Sequence, residues 1–557
     1  MKPRPKYILF RKLQEIPFPM SQKRLAYALW IVFLALFAAA HAWHLRADFP
    51  NFSPWEDWSK YTDEGWYGNA AIRAHLFGNW YLPGDFNPAA AVPVWPFLLW
   101  IVFAFTGVTV QAARGLAVAL FFLNLFLSYK LFRERGPRWA GLLAVTLLVT
   151  SPFLYAFSRL ALLEPLLMAF TLAAMNLGLR LPRFRRKEGA SALIGLLFTG
   201  MLLTKTTAVF LLPALVWVIA MPFWRQKPKL IRLLVAAGGA AAISFGLWML
   251  GLVSYGLFPD YKYLFFVNDY EKPHGLWPRI LSFWWSFHGS LWADRVLVPL
   301  AGLLILAALG TAFYARKRNP ADNWTDSWTN SLWSDPLFSG SIVAVAGYIA
   351  FMTYQNHPQP RYYVVVLFFI VFIVVRIMAQ LLYQQKRARP IDARKAGLAI
   401  LGIVLVTVAG NGLWTLRYVF HPGYTWVTAA RNLTQYIDEH ASEKRLLVSI
   451  SGDEITLISH LPTICDDFGT QDLPEKLASY QPGWFAGWND IDPGTLEDLH
   501  THYSLEQVAG FPAFDDPDRN VLYLFKLHPL PNGEVRDENK MNLKVALPDD
   551  KIDIPVE

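Results

Sequence analysis

Apolar residues in this chain come in long runs, broken by short polar turns, from about residue 25 to residue 420. The runs cover about 25–45, 112–132, 139–158, 160–180, 190–204, 207–223, 231–255, 296–315, 339–355, 361–382 and 397–418. An α-helix rises 1.5 Å per residue, so about 20 apolar residues cross a bilayer core of roughly 30 Å. Eleven membrane spans are predicted. A further apolar run, 93–107, is short and opens Pro93-Val94-Trp95-Pro96, which fits an interfacial or re-entrant helix better than a span. Past residue 420 the pattern changes. Thr425–His440 predicts a helix, and the short apolar runs Leu446–Ile450 and Val521–Leu527 predict strands. The tail from about Pro529 is polar and reads as loose. No fixed-period repeat or low-complexity tract interrupts this order. The fold class is therefore mainly α: a polytopic helical bundle of about eleven spans plus interfacial helices, carrying a small C-terminal α/β domain.

Composition agrees. Of 557 residues 54% are hydrophobic and only 17% charged, which excludes an ordinary soluble enzyme. The net charge of +9 would suggest a nucleic-acid partner if it were spread evenly, but it is not. Residues 419–557 hold 24 acidic and 10 basic side chains, so the preceding part is strongly basic. Its basic residues sit in short clusters: 1–24, Arg133–Arg138, Arg180–Lys187, Arg225–Arg232, Arg316–Arg318 and Lys386–Lys395. All six fall on one side of a membrane only if 93–107 does not cross. The positive-inside bias then puts 1–24 in the cytoplasm and 421–557 outside, around a membrane domain of 25–420. The run from Leu25 to about Trp43 exceeds a signal-peptide core and reads as a retained first span. The single cysteine, Cys465, excludes an intrachain disulfide and a cysteine-built metal site.

This topology brings several charges to the outer face. The first outer loop, 46–111, holds Tyr61-Thr62-Asp63-Glu64-Gly65-Trp66-Tyr67, two adjacent carboxylates among aromatics. A helix is predicted just after them, so the pair sits in its cap or first turn, where free N–H groups hold a carboxylate. Such a group beside apolar surface suits general-base work, against the plainer reading of a solvated acidic turn. Arg159 and Glu164 open the fourth span, where ionisable groups are costly. Lys205 lies between two apolar runs, either snorkelling or placed against a lipid phosphate. Gln355-Asn356-His357-Pro358-Gln359-Pro360-Arg361-Tyr362 is a proline-stiffened turn that presents Arg361 and Tyr362, and Arg suits bidentate phosphate binding. The loop 256–295 carries His274, His288, Asp269, Glu271 and Asp294, but their spacing matches no ligand pattern. No metal site is assigned, and a divalent ion held there is the minor reading. No P-loop, dinucleotide-binding, zinc-protease or lipase motif stands out.

Taken together these residues resemble the GT-C membrane glycosyltransferases, the group holding the protein O-mannosyltransferases and the lipid A aminoarabinose transferase. The resemblance rests on Asp63-Glu64 followed by Gly65-Trp66-Tyr67 and Ala70-Ala71, on Pro93-Val94-Trp95-Pro96 with Phe105-Thr106-Gly107 and Arg114, and on Arg159 with Glu164, Leu203-Thr204-Lys205 and Arg361-Tyr362. It spans about residues 20–420. Val92 stands where the family often has Lys, and Glu164 where it often has Asp. The resemblance implies an enzyme of a bacterial inner membrane that moves a sugar from a polyprenyl-phosphate donor to a hydroxyl or amine of a lipid, glycan or protein acceptor, on the extracytoplasmic side and with inversion. It implies no required cofactor. Asp63 takes the catalytic role with Glu64 beside it. Lys205, Arg361 and Arg159 bind the donor phosphate, and Glu164, Tyr67, Tyr362 and His357 contact substrate. Two rival classes are a lipid flippase, which predicts a midplane polar site and internal symmetry, and a non-catalytic assembly protein.

Overall fold

A computed structural model describes residues 20–50, 53–55, 57–267, 272–318, 332–384, 391–440, 444–489, 491–514 and 519–530. Most of the expected cytoplasmic segment 1–24 lies outside them, as do Asp269 and Glu271.

The apolar runs are helices. Among the described residues eight helices are long and apolar enough to cross a membrane, or up to ten if each of two bent pairs is one span. The chain is an integral membrane protein. Run 190–204 forms Lys187–Leu202, of 16 residues. Run 139–158 departs from a straight span: Arg138–Val149 and Pro152–Ser158 meet at 68°. The cause is local. Pro152 has no N–H to continue the first helix, and Ser151 caps the second by accepting from the Leu154 N–H at 3.2 Å. The second bent pair, Leu276–Trp292 with Leu297–Gly310, turns by 119°, so much of the expected loop 256–295 is helical. Val94–Thr106 is a short apolar helix ended by Gly107 at φ +71°, a conformation glycine adopts without strain.

Burial grades from the centre outward. The stretch Pro360–Leu382 has 94% of its apolar window inside the protein, against 11% for Arg24–Ala42 and 6% for Lys227–Ser254. The central helix packs on its neighbours through contacts such as Phe132 against Phe372. The outer helices expose Leu29, Val235, Ile243 and Leu247, a surface suited to lipid rather than water.

The C-terminal part begins with the helix Thr425–Glu439 and holds one mixed sheet. Its strands are β1 Leu447–Val448, β2 Thr463–Ile464, β3 Trp484–Trp488, β4 Tyr503–Pro512 and β5 Val521–Pro529, in the order β2-β1-β3-β5-β4. The pairs β1/β2 and β1/β3 are parallel, and β3/β5 and β4/β5 are antiparallel. Trp426, Trp488 and Phe514 pack as tilted rings in the core beneath it. A helix, Gly452–Ser459, connects β1 to β2 and packs on the helices Asp63–Trp66 and Asn69–Phe77.

Candidate active site

One end of the bundle gathers segments far apart in sequence. Asp63 and Glu64 occupy the first turn of a one-turn helix, Asp63–Trp66, followed by the helix Asn69–Phe77. Both carboxylates are buried and point to different partners.

On the Asp63 side, Arg361 is the centre. The Pro358/Pro360 turn holds Gln359 extended, and Pro360–Tyr362 follows as a single 3₁₀ turn that projects Arg361. Its Nε lies 3.2 Å from Asp63 Oδ2, within ion-pair range but without hydrogen-bond alignment. Its Nη1 binds Asp57 Oδ1, and its backbone N–H donates to Asp57 Oδ2 at 2.9 Å. Lys205, extended between Lys187–Leu202 and the 3₁₀ segment Thr206–Leu211, binds the carboxylate of Glu164. The Val94 N–H donates to the Leu203 carbonyl at 3.2 Å and ties the interfacial helix to that turn. Lys205 and Arg361 both lie over the Tyr362 ring, at 4.9 and 5.1 Å from its centroid. Two cations and three carboxylates thus surround one ring.

Burial raises the Asp63 carboxyl above its ordinary value. Arg361 and Lys205 pull it down, while Asp57 and Glu164 push it up further. Tyr67 feels Asp63, Arg361 and Glu164, and burial holds its phenol protonated. His357 is kept neutral by burial and by Arg361, which push it down to about 4, and its Nε2 lies 2.6 Å from Gln359 Nε2. Asp63, Lys205, Arg361, Glu164, Tyr67, Tyr362 and His357 therefore share one neighbourhood.

Glu64 faces the other way. It accepts from Arg114 Nε at 2.8 Å and Nη2 at 2.5 Å, and from the Ala161 N–H at 2.7 Å. Arg114 also donates to the Leu45 and Ala47 carbonyls at 2.9 and 2.5 Å. This is a bidentate pair with a third donor, which fills three of the carboxylate's roughly four acceptor sites. Arg159 is on that side too. It donates to the Tyr155 hydroxyl at 2.6 Å and to the Trp43 and His44 carbonyls, and makes no ion pair or hydrogen bond with the Asp63–Arg361–Lys205 group.

Sequence reasoning missed two features. Asp57 orients Arg361 from 304 positions away, and only its place among Trp55 and Trp58 in the same loop hinted at it. The C-terminal domain also grips the loop. Arg73 binds Asp85 at 2.7 Å and Asp453 at 2.8 Å, Asn69 donates to Asp453 at 2.9 Å, and Trp66 Nε1 donates to the Ile450 carbonyl at 3.0 Å. A Cβ on Gly65 would come 2.1 Å from the Glu454 N, so only glycine lets the helices approach this closely. Among the described residues no group of three or more His, Cys, Asp or Glu is placed to hold a metal ion.

The site is thus a buried carboxylate facing two cations at one end of an apolar bundle. Residues 88–248 match the family model described as dolichyl-phosphate-mannose-protein mannosyltransferase. The fold is similar to that of ArnT from Cupriavidus metallidurans bound to undecaprenyl phosphate, with TM-score 0.54, 14% identity and coverage of 89% of this chain and 98% of that one. Weaker similarity links it to the archaeal oligosaccharyltransferase AglB from Archaeoglobus fulgidus (TM-score 0.47, 11% identity, 86% and 72% covered). The arabinofuranosyltransferase AftD from Mycobacteria is also similar (TM-score 0.44, 14% identity, 89% and 40% covered). A sequence comparison with curated proteins finds no match. The family match covers residues 88–248, and the likeness to ArnT is one of fold.

Proposed function

We propose that the chain transfers a sugar from a polyprenyl-phosphate donor to an acceptor hydroxyl or amine at the extracytoplasmic face of a bacterial inner membrane. The observation that carries this is the pairing of a buried, loosely held Asp63 with Arg361 and Lys205. Asp63 Oδ2 takes the proton of the acceptor as its oxygen or nitrogen attacks the anomeric carbon. The bond from that carbon to the donor phosphate oxygen breaks, and the electron pair leaves with the lipid phosphate. Lys205 and Arg361 neutralise the new charge in a site shielded from water, where such contacts are strongest. Attack opposite the phosphate inverts the anomeric centre. Asp57 and Glu164 hold the two cations in place, Tyr362 forms the surface beneath them, and Tyr67 and His357 border the sugar. Glu64, spent on Arg114, is a positioning residue for the Asp63 turn.

An apolar cavity of about 770 Å³ supports a lipid-linked donor. It lies between Leu276–His288, Leu297–Arg318, Pro336–Gln355 and the central helix, with Lys272 and Arg279 among its lining. On the same helix as Ile349 and Ala350 of its lining, Phe351 packs on Tyr362 at 5.1 Å between ring centroids. The segment ends at 42–48, 110–114, 159–164, 205 and 361 meet around the site, while Glu134 pairs with Arg180 and Arg183 at other helix ends. That sidedness supports a cytoplasmic N-terminus and an extracytoplasmic C-terminal domain. The test incubates purified protein with a panel of polyprenyl-phosphate sugars. Sugar release by wild type, lost in Asp63→Asn, supports the assignment. Equal release by both shows the base is another group.

A further inference from the structure

Five arginines are buried among the described residues, and four of them face a carboxylate. Arg73 has Asp85 and Asp453, Arg114 has Glu64, Arg361 has Asp57 and Asp63, and Arg376 has Asp335. Arg159 has only neutral partners, the Tyr155 hydroxyl and the carbonyls of Trp43 and His44. Its Nε makes no hydrogen bond. Glu64, already bound to Arg114, acts on the Arg159 charge only from beyond ion-pair range, and Arg114 opposes it, so this costly buried cation favours an anion from outside.

Such an anion has a place. A polar cleft of about 560 Å³ opens beside the His44 backbone that Arg159 holds, lined by His44, Arg46, Gln111, Tyr424, Thr428 and Arg431. Arg46 and Arg431 are exposed, and among the described residues no carboxylate lies in ion-pair range of either. Tyr424 is close enough to act on the Arg159 charge and hydrogen-bonds His44 at 2.8 Å. Asp48, the nearby carboxylate, is buried and does not line the cleft; its Oδ2 accepts from Thr425 Oγ1 and the Trp426 N–H, both at 3.0 Å, and its Oδ1 makes no hydrogen bond. The cleft follows directly on two helices, Met20–Ala42 and Ile391–Phe420, whose ends expose Trp43 and Phe420. Aromatics at helix ends mark the level of the lipid headgroups.

We propose that this cleft binds the phosphate of an anionic phospholipid headgroup, with Arg46 and Arg431 in contact and Arg159 as the buried counter-charge. It is a site apart from the one assigned to the donor, and it stands whether or not the donor assignment does. A phosphate from solution has the same chemistry, and the test separates the two sources. Full-length protein without donor is placed in phosphatidylcholine nanodiscs, in nanodiscs of equal parts phosphatidylcholine and phosphatidylglycerol, and in phosphatidylcholine nanodiscs with inorganic phosphate balanced by NaCl in the control. Tm is read by tryptophan fluorescence. Phosphatidylglycerol is expected to raise Tm by several degrees in wild type and in Lys205→Met, and by less than half as much in the double variant Arg46→Gln/Arg431→Gln. Arg46→Lys/Arg431→Lys should keep most of the rise. A rise with inorganic phosphate alone, lost in the Gln double variant, would assign the cleft to a soluble ion and overturn the headgroup as its occupant. No rise with either, or an equal rise in the Gln double variant, overturns the site itself.

Discussion

Asp63 and Glu64 are neighbours in sequence, equally buried, and electrostatic opposites. Glu64 is fixed by three donors, two from Arg114 and one from the Ala161 N–H. Asp63 has one weak contact from the Thr62 hydroxyl at 3.2 Å and an unaligned guanidinium. A carboxylate already bound to strong donors is a poor proton acceptor, whereas one short of donors is a better one. The two carboxylates are alike in burial and differ in hydrogen bonding. What matters is which hydrogen bonds are still unmade.

The sharpest way to break this contrast is to exchange the roles. Asp63→Asn is expected to lower the transfer rate by about 10²–10⁴-fold while Tm stays within a few degrees of wild type, measured as sugar transfer and thermal unfolding. Arg361→Ala should cost about 10²–10³-fold in kcat and also destabilise the protein, because Asp57 is left buried without its cation. Glu64→Gln is expected to invert the Asp63 pattern, with Tm falling by several degrees and the rate by about 10-fold or less, since it leaves Arg114 without its charge partner. Gly65→Ala should resemble Glu64→Gln, because the added methyl collides with the backbone of Asp453 and Glu454. The smallest effect lies in pH dependence within the C-terminal domain. Burial pushes the Asp466 carboxyl up to about 7, so ionising it opposes folding. Its stability contribution is present at low pH and is lost as pH rises from about 4 to about 7. Asp466→Asn should therefore raise Tm at pH 8 by a few degrees and leave it nearly unchanged at pH 4, as read by thermal scans.

The long apolar helices were legible because length and hydrophobicity alone select them, although eight to ten rather than eleven qualify as spans among the described residues, and 94–106 was legible as a short apolar helix. The break at Ser151-Pro152 was visible as residues but not as a bend, since a capped proline continues an apolar run in composition while redirecting it in space. The candidate cations were legible as rare charges in apolar surroundings. Their partners were not. Asp57 meets Arg361 across 304 positions and Glu164 meets Lys205 across 41, and only the folded chain decides such pairings. Arg159 and Arg361 look alike in sequence, yet one lies behind a backbone turn and the other faces Asp63. The grip of Asp453 on Arg73 was equally hidden, because nothing in the strand pattern of the C-terminal domain says which face meets the loop.

The most direct test is the pH profile of sugar transfer by wild type and Asp63→Glu, with the donor that turns over. Burial raises the Asp63 carboxyl above its ordinary 3.8, so the rate should climb with pH through a value above that point. The Glu variant should keep a limb of this kind at reduced rate, and Asp63→Asn should lack it. A profile unchanged in Asp63→Asn would show that another group accepts the proton.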